Sequence, residues 1–465
     1  MSGYGGVRIL GAVAAETSQT VAAIEACERA IRADPRAAPA YAKLADIHAA
    51  LQRYEAAIGV YRRALEVWPD EADILVQLSV LSGKAGAWRE ALGFAERAVA
   101  VKPRLHQAVG VLADARLMLK DYEGAITGYR DARALPDLSR NATIAFAEIG
   151  RDAELTHRLR HLRVGAGAPS VGARTRSGEG AATIRLQLDA TPAARASAVF
   201  FHVDAGDSHP FAELSDPERA RASALDILRT ACKSVRAAMP DAVILVLTDA
   251  HTDLGFDLGP GALVDHVVRV AARRDQLMYS RMRAYHDLVA SGRVGGPVLF
   301  LDTDVCIGRD FGALFDGGFD VGLTYRSSPS FAHMPVNEGV LLGASGASPQ
   351  LASFFRICLD LYEWLADQRF VSERYGFDVR NWRGGQLALA AFVDWTVPPF
   401  AAADRSIAGI RCRFLPCDAY NRPVKASDDL GALRDHWALH FKGPKAKTLM
   451  RAYVERSAHA TGSAP

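Results

Sequence analysis

No uncharged apolar run in this chain approaches the length needed to cross a bilayer, which argues against a membrane-spanning helix. An excess of one charge is also absent: 55 lysines and arginines stand against 53 aspartates and glutamates. That balance removes any whole-chain electrostatic argument for nucleic acid or an anionic membrane. Cysteine is sparse, six in 465 residues, and no two form a Cys-x-x-Cys pair. A zinc ribbon or dense disulfide framework is therefore not expected, and reduced thiols in a cytoplasmic protein are. The opening twenty residues carry one arginine and a short apolar patch, a poor match to a secretory signal.

What is present is length and apolar content. Hydrophobic residues make up 49% of the chain, ample for two or three domains with sizeable cores. The first third repeats itself. Pro35, Pro69 and Pro103 are 34 residues apart, Ala30, Ala64, Ala98 and Ala132 keep the same step, and so do Ala57, Ala91 and Ala125. The alanines fall where two antiparallel helices approach closely, and each proline stops a second helix. Tyr41, Leu44, Tyr54, Tyr61 and Leu65 supply the larger packing groups. This register resembles the tetratricopeptide repeat over residues 21–163, as a trailing half repeat, three full repeats and a final helical segment. Pro136 comes one place early in the third repeat. Single helix pairs of this kind cannot bury their apolar faces, so stacking builds the core and leaves a concave groove. The resemblance implies a peptide or protein partner in that groove; bracing or dimerisation is the alternative.

From Val164 to Thr183 the composition shifts to Gly, Ser, Ala and Arg without apolar periodicity, which reads as a flexible linker. Beyond it, apolar strands alternate with amphipathic helices: "ASAVFFHVDAGD", "SALDILRTACKSVRAAMP", "AVILVLTD", "HVVRVA", "DQLMYSRMRAYHDLVASG" and "PVLFLD". Alternation of this kind predicts a mostly parallel sheet with helices on both faces. Ligands gather at the carboxyl ends of such strands, where Asp204, Asp249 and Asp302 stand.

The stretch "VLFLDTDVCIG" holds Asp302 and Asp304, the only Asp-x-Asp in the chain. Three readings compete: a metal site for a nucleotide-sugar diphosphate, a phosphatase of the haloacid dehalogenase type, and a solvated strand end. Against the phosphatase stand Cys306, where that motif carries Thr or Val, and the several elements that precede the pair.

The surrounding segments resemble the GT-A fold glycosyltransferases of the glycogenin and lipopolysaccharide-galactosyltransferase type (family eight and relatives), from about Val199 to Met450. The resemblance rests on "YSRMRAY", "VLFLDTDVCIG", "VNEGVLLG", "FLPCDAYN" and "ALHFKGP", in that order. It implies Asp302, Asp304 and His440 as metal ligands, with manganese favoured and magnesium allowed. It implies Arg281, Asn337 and Gly339 around the donor's diphosphate and sugar, and Asp204 and Thr303 at the nucleoside. In "KGPKAK", Gly443 and Pro444 allow a tight loop, and Lys442, Lys445 and Lys447 can meet phosphates as point charges. Gln386 is the nearest match to the catalytic Asp-Gln pair, with Gly385 standing where that pair has its acid. The closing Lys-Pro-Trp is also missing, and Ala446 holds the place of its lysine.

The fold expected is an all-α tetratricopeptide solenoid followed by an α/β GT-A domain, Rossmann-like and built for nucleotide-diphospho-sugars. The expected segments are a tail over 1–20, repeats over 21–163, linker over 164–183, GT-A domain over 184–455 and tail over 456–465. The function implied is a metal-dependent glycosyltransferase, retaining, using a nucleotide-diphosphate sugar and most simply a uridine-diphosphate sugar. A scaffold with a catalytically weak transferase-like domain is the alternative. His436 and His440 have the spacing of helical zinc ligands, but no glutamate stands at the second position of "HWALH" and the segment reads as a strand.

Overall fold

The structure is a computed structural model that describes residues 18–135, 138–165, 195–204, 217–256, 262–398, 402–433 and 436–460. The expected N-terminal tail lies almost entirely outside the described residues, as do the linker from 166 onward, Pro136, and the last five residues. The chain divides into two compact units: the first runs through His161 and includes Ser327–His333, and the second holds the remainder.

The first unit is built of helices: α1 (Ser18–Ala33), α2 (Ala38–Ala50), α3 (Tyr54–Val67), α4 (Ala72–Lys84), α5 (Trp88–Val101), α6 (His106–Met118), α7 (Tyr122–Ala134) and α8 (Arg140–Gly165). The period read from the alanines is a packing period. Ala57, Ala64, Ala91, Ala98, Ala125 and Ala132 are all fully buried. Gly128 goes further: a Cβ there would stand 2.9 Å from the Ala113 Cβ on the facing helix. The backbone repeats as well. Gln52, Gly86 and Lys120 take positive φ (57°, 79° and 69°) at the same turn of successive helix pairs. Only glycine does so without strain.

The second unit carries strands β1 (Ser197–Phe201), β2 (Val243–Thr248), β3 (His266–Arg269), β4 (Val298–Leu301), β5 (Val305–Ile307), β6 (Val321–Tyr325), β7 (Val336–Gly343), β8 (Ala403–Ile407), β9 (Ile410–Pro416), β10 (Arg422–Pro423) and β11 (Ala438–His440). Its helices are α9 (Pro217–Ala238), α10 (Leu277–Ala290), α11 (Pro349–Ala366), α12 (Arg369–Tyr375), α13 (Gly384–Phe392), α14 (Cys417–Tyr420) and α15 (Pro444–Ala460). Eight strands form one sheet in the order β3-β2-β1-β4-β7-β6-β9-β8, and β10-β11-β5 form a second, smaller one.

The large sheet is mixed rather than mostly parallel. β3, β2, β1 and β4 run parallel, as the alternating pattern predicted, but β7 is antiparallel to both β4 and β6. β6 and β7 are consecutive strands joined by residues 326–335, too short a stretch for the crossover a parallel pair needs.

β1, β2 and β4 are buried along their whole length, which explains their unbroken apolar runs. Leu299 and Leu301 face a core shared with α9 and α15. Phe300 points the other way, with its ring 4.6 Å from Tyr285 of α10 and 5.0 Å from Phe355 of α11. Truncating a ring so placed costs about 3–5 kcal/mol. Among the described residues no helix is long and apolar enough to cross a membrane. All six cysteines are buried free thiols.

Candidate metal centre

Two sheets converge at the end of β4. The large sheet fixes Asp302: the β4–β7 ladder pairs Leu301 with Val340 and continues through the Asp302 amide, which donates to the Gly339 carbonyl at 3.0 Å. The small sheet fixes Asp304 and His440. β5 and β11 are antiparallel with Val305 opposite His440, and the Phe441 amide donates to the Asp304 carbonyl at 2.9 Å. The turn between β4 and β5 thus spans both sheets and carries one carboxylate into each.

Asp302, Asp304 and His440 each offer a ligand atom, all within 4.8 Å of one another. His440 Nε2 lies 3.0 Å from Asp304 Oδ1 and 3.7 Å from Asp302 Oδ2. Nδ1 of the same ring lies 3.0 Å from Asn421 Oδ1. An amide oxygen accepts, so Nδ1 carries a proton, and Nε2 is the ring atom directed at the two carboxylates, able to ligate a cation that displaces its own proton. Asn421 is oriented in turn, because its Nδ2 donates to Thr324 Oγ1 at 2.9 Å. Two hard oxygens and an imidazole nitrogen suit manganese(II) or magnesium, and an outer shell that fixes the tautomer is the usual support for such a ligand.

β7 is irregular where it meets this cluster. Along β6 the partner steps from Leu341 opposite Leu323 to Asn337 opposite Thr324, so residues 338–340 bulge. The Thr324 hydroxyl closes the bulge, reaching the carbonyls of Asn337 (2.9 Å) and Val340 (3.2 Å). Bulges of this kind re-aim side chains next to functional sites. Here the bulge sets bare Gly339 under the His440 ring and turns Glu338 toward α10 and α13.

Arg281 of α10, only 7% exposed, pairs with Asp302 through Nη1 and with Glu338 through Nη2, the latter at 2.7 Å. Burial works against its charge, but Glu338 and Asp302 outweigh burial and hold the guanidinium above its ordinary value. For Asp304, burial pushes the carboxyl up, yet the positive charges of His440 and of Lys447 (Nζ 3.2 Å away) prevail and hold it well below the usual carboxylate range.

The other residues singled out in the sequence take varied places. Asn337 is buried with its Oδ1 accepting from the Gly339 amide at 3.3 Å. Thr303 sits half-buried in the turn between the two aspartates. Asp204 follows β1, where its amide donates to Thr252 Oγ1 at 2.9 Å. Gln386 opens α13 and accepts from Arg326 Nη2 at 2.8 Å. Gly443 turns the chain after β11 with φ +80°. The Lys442 residue is largely open to water, but desolvation of its ammonium and the nearby Arg326 lower its pKa, against the pull of Asp302 and Asp304. The side chain of Lys445 lies outside the described residues. His436 is not part of the cluster: its Nε2 lies 3.0 Å from Arg422 Nη1 and its Nδ1 3.1 Å from the Leu433 carbonyl.

Two contributors, Asn421 and Glu338, were not nominated from the sequence, and a third, Lys447, takes a partner the sequence did not suggest. Asn421 lies within the quoted "FLPCDAYN", but its role depends on a partner 19 residues away. Lys447 contacts Asp304 because α15 begins immediately after the Gly443 turn. Glu338 was one acid among several until the bulge placed it.

The tetratricopeptide repeat family model matches residues 38–81. No curated protein sequence matches the chain. Among solved structures, the tetratricopeptide domain of Sgt2 from Aspergillus fumigatus is similar over 36% of this chain and 95% of that one, at 20% identity and a TM-score of 0.24. The glycosyltransferase GlyE from Streptococcus pneumoniae TIGR4 is similar over 58% of this chain and 64% of that one, at 16% identity and a TM-score of 0.35. The galactosyltransferase LgtC, crystallised with donor and acceptor sugar analogues, is similar over 57% of this chain and 95% of that one, at 16% identity and a TM-score of 0.33. The chain joins a helical unit of tetratricopeptide type to a mixed α/β unit with an Asp-Asp-His cluster at its strand ends.

Proposed function

We propose that the α/β unit, taken as a GT-A domain over residues 184–455, is a metal-dependent glycosyltransferase that moves a sugar from a nucleotide-diphosphate sugar to an acceptor. The observation that carries this reading is the convergence of Asp302, Asp304 and His440 at the end of a buried strand, with the imidazole tautomer fixed for ligation. A divalent cation, manganese(II) or magnesium, held by these three would neutralise negative charge on a departing nucleoside diphosphate.

The chain's own groups divide the remaining work. Arg281 holds one oxygen of Asp302 and leaves the other facing His440. Lys442 and Lys447 bring positive charge to the edge where a diphosphate would lie, with Lys445 on the same segment. Asn337 and Gly339 line the sugar side, and Gln386 is kept in position by Arg326. Asp204 and Thr303 are assigned to the nucleoside, with a uridine-diphosphate sugar as donor and retention at the anomeric carbon as the outcome. The repeats over residues 21–163 are assigned to recruiting a protein or peptide acceptor.

Purified full-length chain with manganese(II) and a panel of nucleotide-sugars should release nucleoside diphosphate. The Asp302→Ala, Asp304→Ala double variant should not. Release of phosphate from phosphoesters would favour the phosphatase reading instead, and no turnover of any donor would favour a scaffold. Loss of transfer to protein acceptors on deletion of residues 1–163, with donor hydrolysis kept, tests the role of the repeats.

A further inference from the structure

Glu338 and Gly385 share one buried space. A Cβ built on Gly385 would stand 2.6 Å from the Glu338 carboxyl carbon, with both carboxylate oxygens closer still. Those closest separations are about the reach from an aspartate's Cβ to its own carboxylate oxygens. A carboxylate can therefore reach this point from β7, as Glu338 does, or from α13, as an aspartate at 385 would, but not from both. Glycine at 385 and glutamate at 338 are one arrangement of a single feature.

The feature has a clear charge role. Arg281 is ionised at any ordinary pH, and only 7% of it is exposed. Left with Asp302 as its one partner, it would spend its charge on a carboxylate that the metal centre needs. Glu338, 6% exposed, lies 2.7 Å from the other guanidinium nitrogen and balances that charge. Asp302 and Asp304 then remain to meet a dication. Arg281 becomes a neutralised clamp on Asp302 rather than a competitor for it.

We infer that Glu338 is a positioning residue of the metal centre, holding and neutralising Arg281 from the β7 bulge in the space that Gly385 leaves open, so that the carboxylate could be handed to position 385 without loss of function. The inference rests on the metal-dependent reading above and concerns Glu338, which lies outside the Asp302–Asp304–His440 cluster.

The test is manganese(II) binding to full-length protein by titration calorimetry, alongside the thermal midpoint in EDTA. Glu338→Ala should weaken manganese(II) at least about tenfold, the scale typical of outer-shell partners. Gly385→Asp alone should lower the midpoint, because two carboxylates would compete for one buried space. Glu338→Ala combined with Gly385→Asp should recover most of the lost affinity. Glu338→Gln keeps the shape and removes the charge, so it should weaken manganese(II) and also lower the midpoint, because a buried guanidinium loses part of its charge balance.

Wild-type affinity in Glu338→Gln or Glu338→Ala would overturn the inference. So would a double variant that regains its midpoint and not its metal affinity, since Glu338 would then only fill space. A wild-type chain that binds no manganese(II) would instead remove the metal reading itself. A chain that binds manganese(II) and turns over no donor would leave the Glu338 role standing.

Discussion

The imidazole of His440 rests on the bare Cα of Gly339. A Cβ added there would stand 2.6 Å from His440 Nδ1 and 3.1 Å from Asp302 Oδ2. Neither neighbour can give way cheaply, because Nδ1 is held by Asn421 and Asp302 by Arg281. Gly339→Ala should therefore cost about 1–3 kcal/mol of stability, as overpacked sites do, and displace the ring. Manganese(II) affinity measured by calorimetry should fall with it. Wild-type affinity in this variant would mean that the ring is not a ligand in the position described.

The tautomer of His440 depends on a relay through Asn421 and Thr324. Asn421→Leu keeps the size and removes the acceptor, so Nδ1 loses its partner in a buried place. Manganese(II) should bind about 10- to 100-fold more weakly, the usual penalty for losing an outer-shell partner. The fall should be smaller for Asn421→Asp, which still accepts from Nδ1.

Lys447 stands 3.2 Å from Asp304 and is about one-third exposed. A partly exposed ion pair contributes little, about 1 kcal/mol or less. Without a donor present, Lys447→Met should tighten manganese(II) by only about two- to fivefold, because one competing cation is gone. Nucleoside diphosphate, assayed in the presence of manganese(II), should bind more weakly to the same variant. A change of the same sign in both titrations would show that Lys447 does not face the diphosphate.

The legibility of this molecule in its sequence differs between its parts. The helical repeats could be read because each buried alanine recurs at one spacing, and the same packing constraint produces each. Asp302 and Asp304 were visible because they interrupt an apolar strand. The direction of β7 was not visible, since an apolar run reads alike in parallel and antiparallel pairs. Neither was the bulge at residues 338–340, which depends on pairing with β6 rather than on any local preference. That bulge decides why Gly339 lacks a side chain and where Glu338 points. The role of Asn421 and the pairing of Lys447 with Asp304 were hidden for the same reason, as each exists only once two distant segments meet.

In the helical unit, Tyr129 donates to the carboxylate of Asp114 at 2.7 Å, beneath the packing of α6 and α7. Burial dominates there and pushes the Asp114 carboxyl from its ordinary value near 3.8 up to about 6, although the Tyr129 hydroxyl pulls the other way. An acid raised in the folded state keeps its proton after the unfolded chain has lost it. Stability is therefore full below the unfolded value, falls as pH rises between the two, and stays reduced above about 6. The whole shift corresponds to at most about 3 kcal/mol, and to less because Asp114 retains some contact with water. Asp114→Asn removes the titration while keeping an acceptor for Tyr129. Hydrogen exchange in α6 and α7 of the full-length protein should slow in this variant at pH 7.5 relative to wild type. At pH 4 that advantage should shrink or vanish. Equal protection of the two proteins at both pH values would show that the Asp114 carboxyl ionises in the folded chain as readily as in the unfolded one.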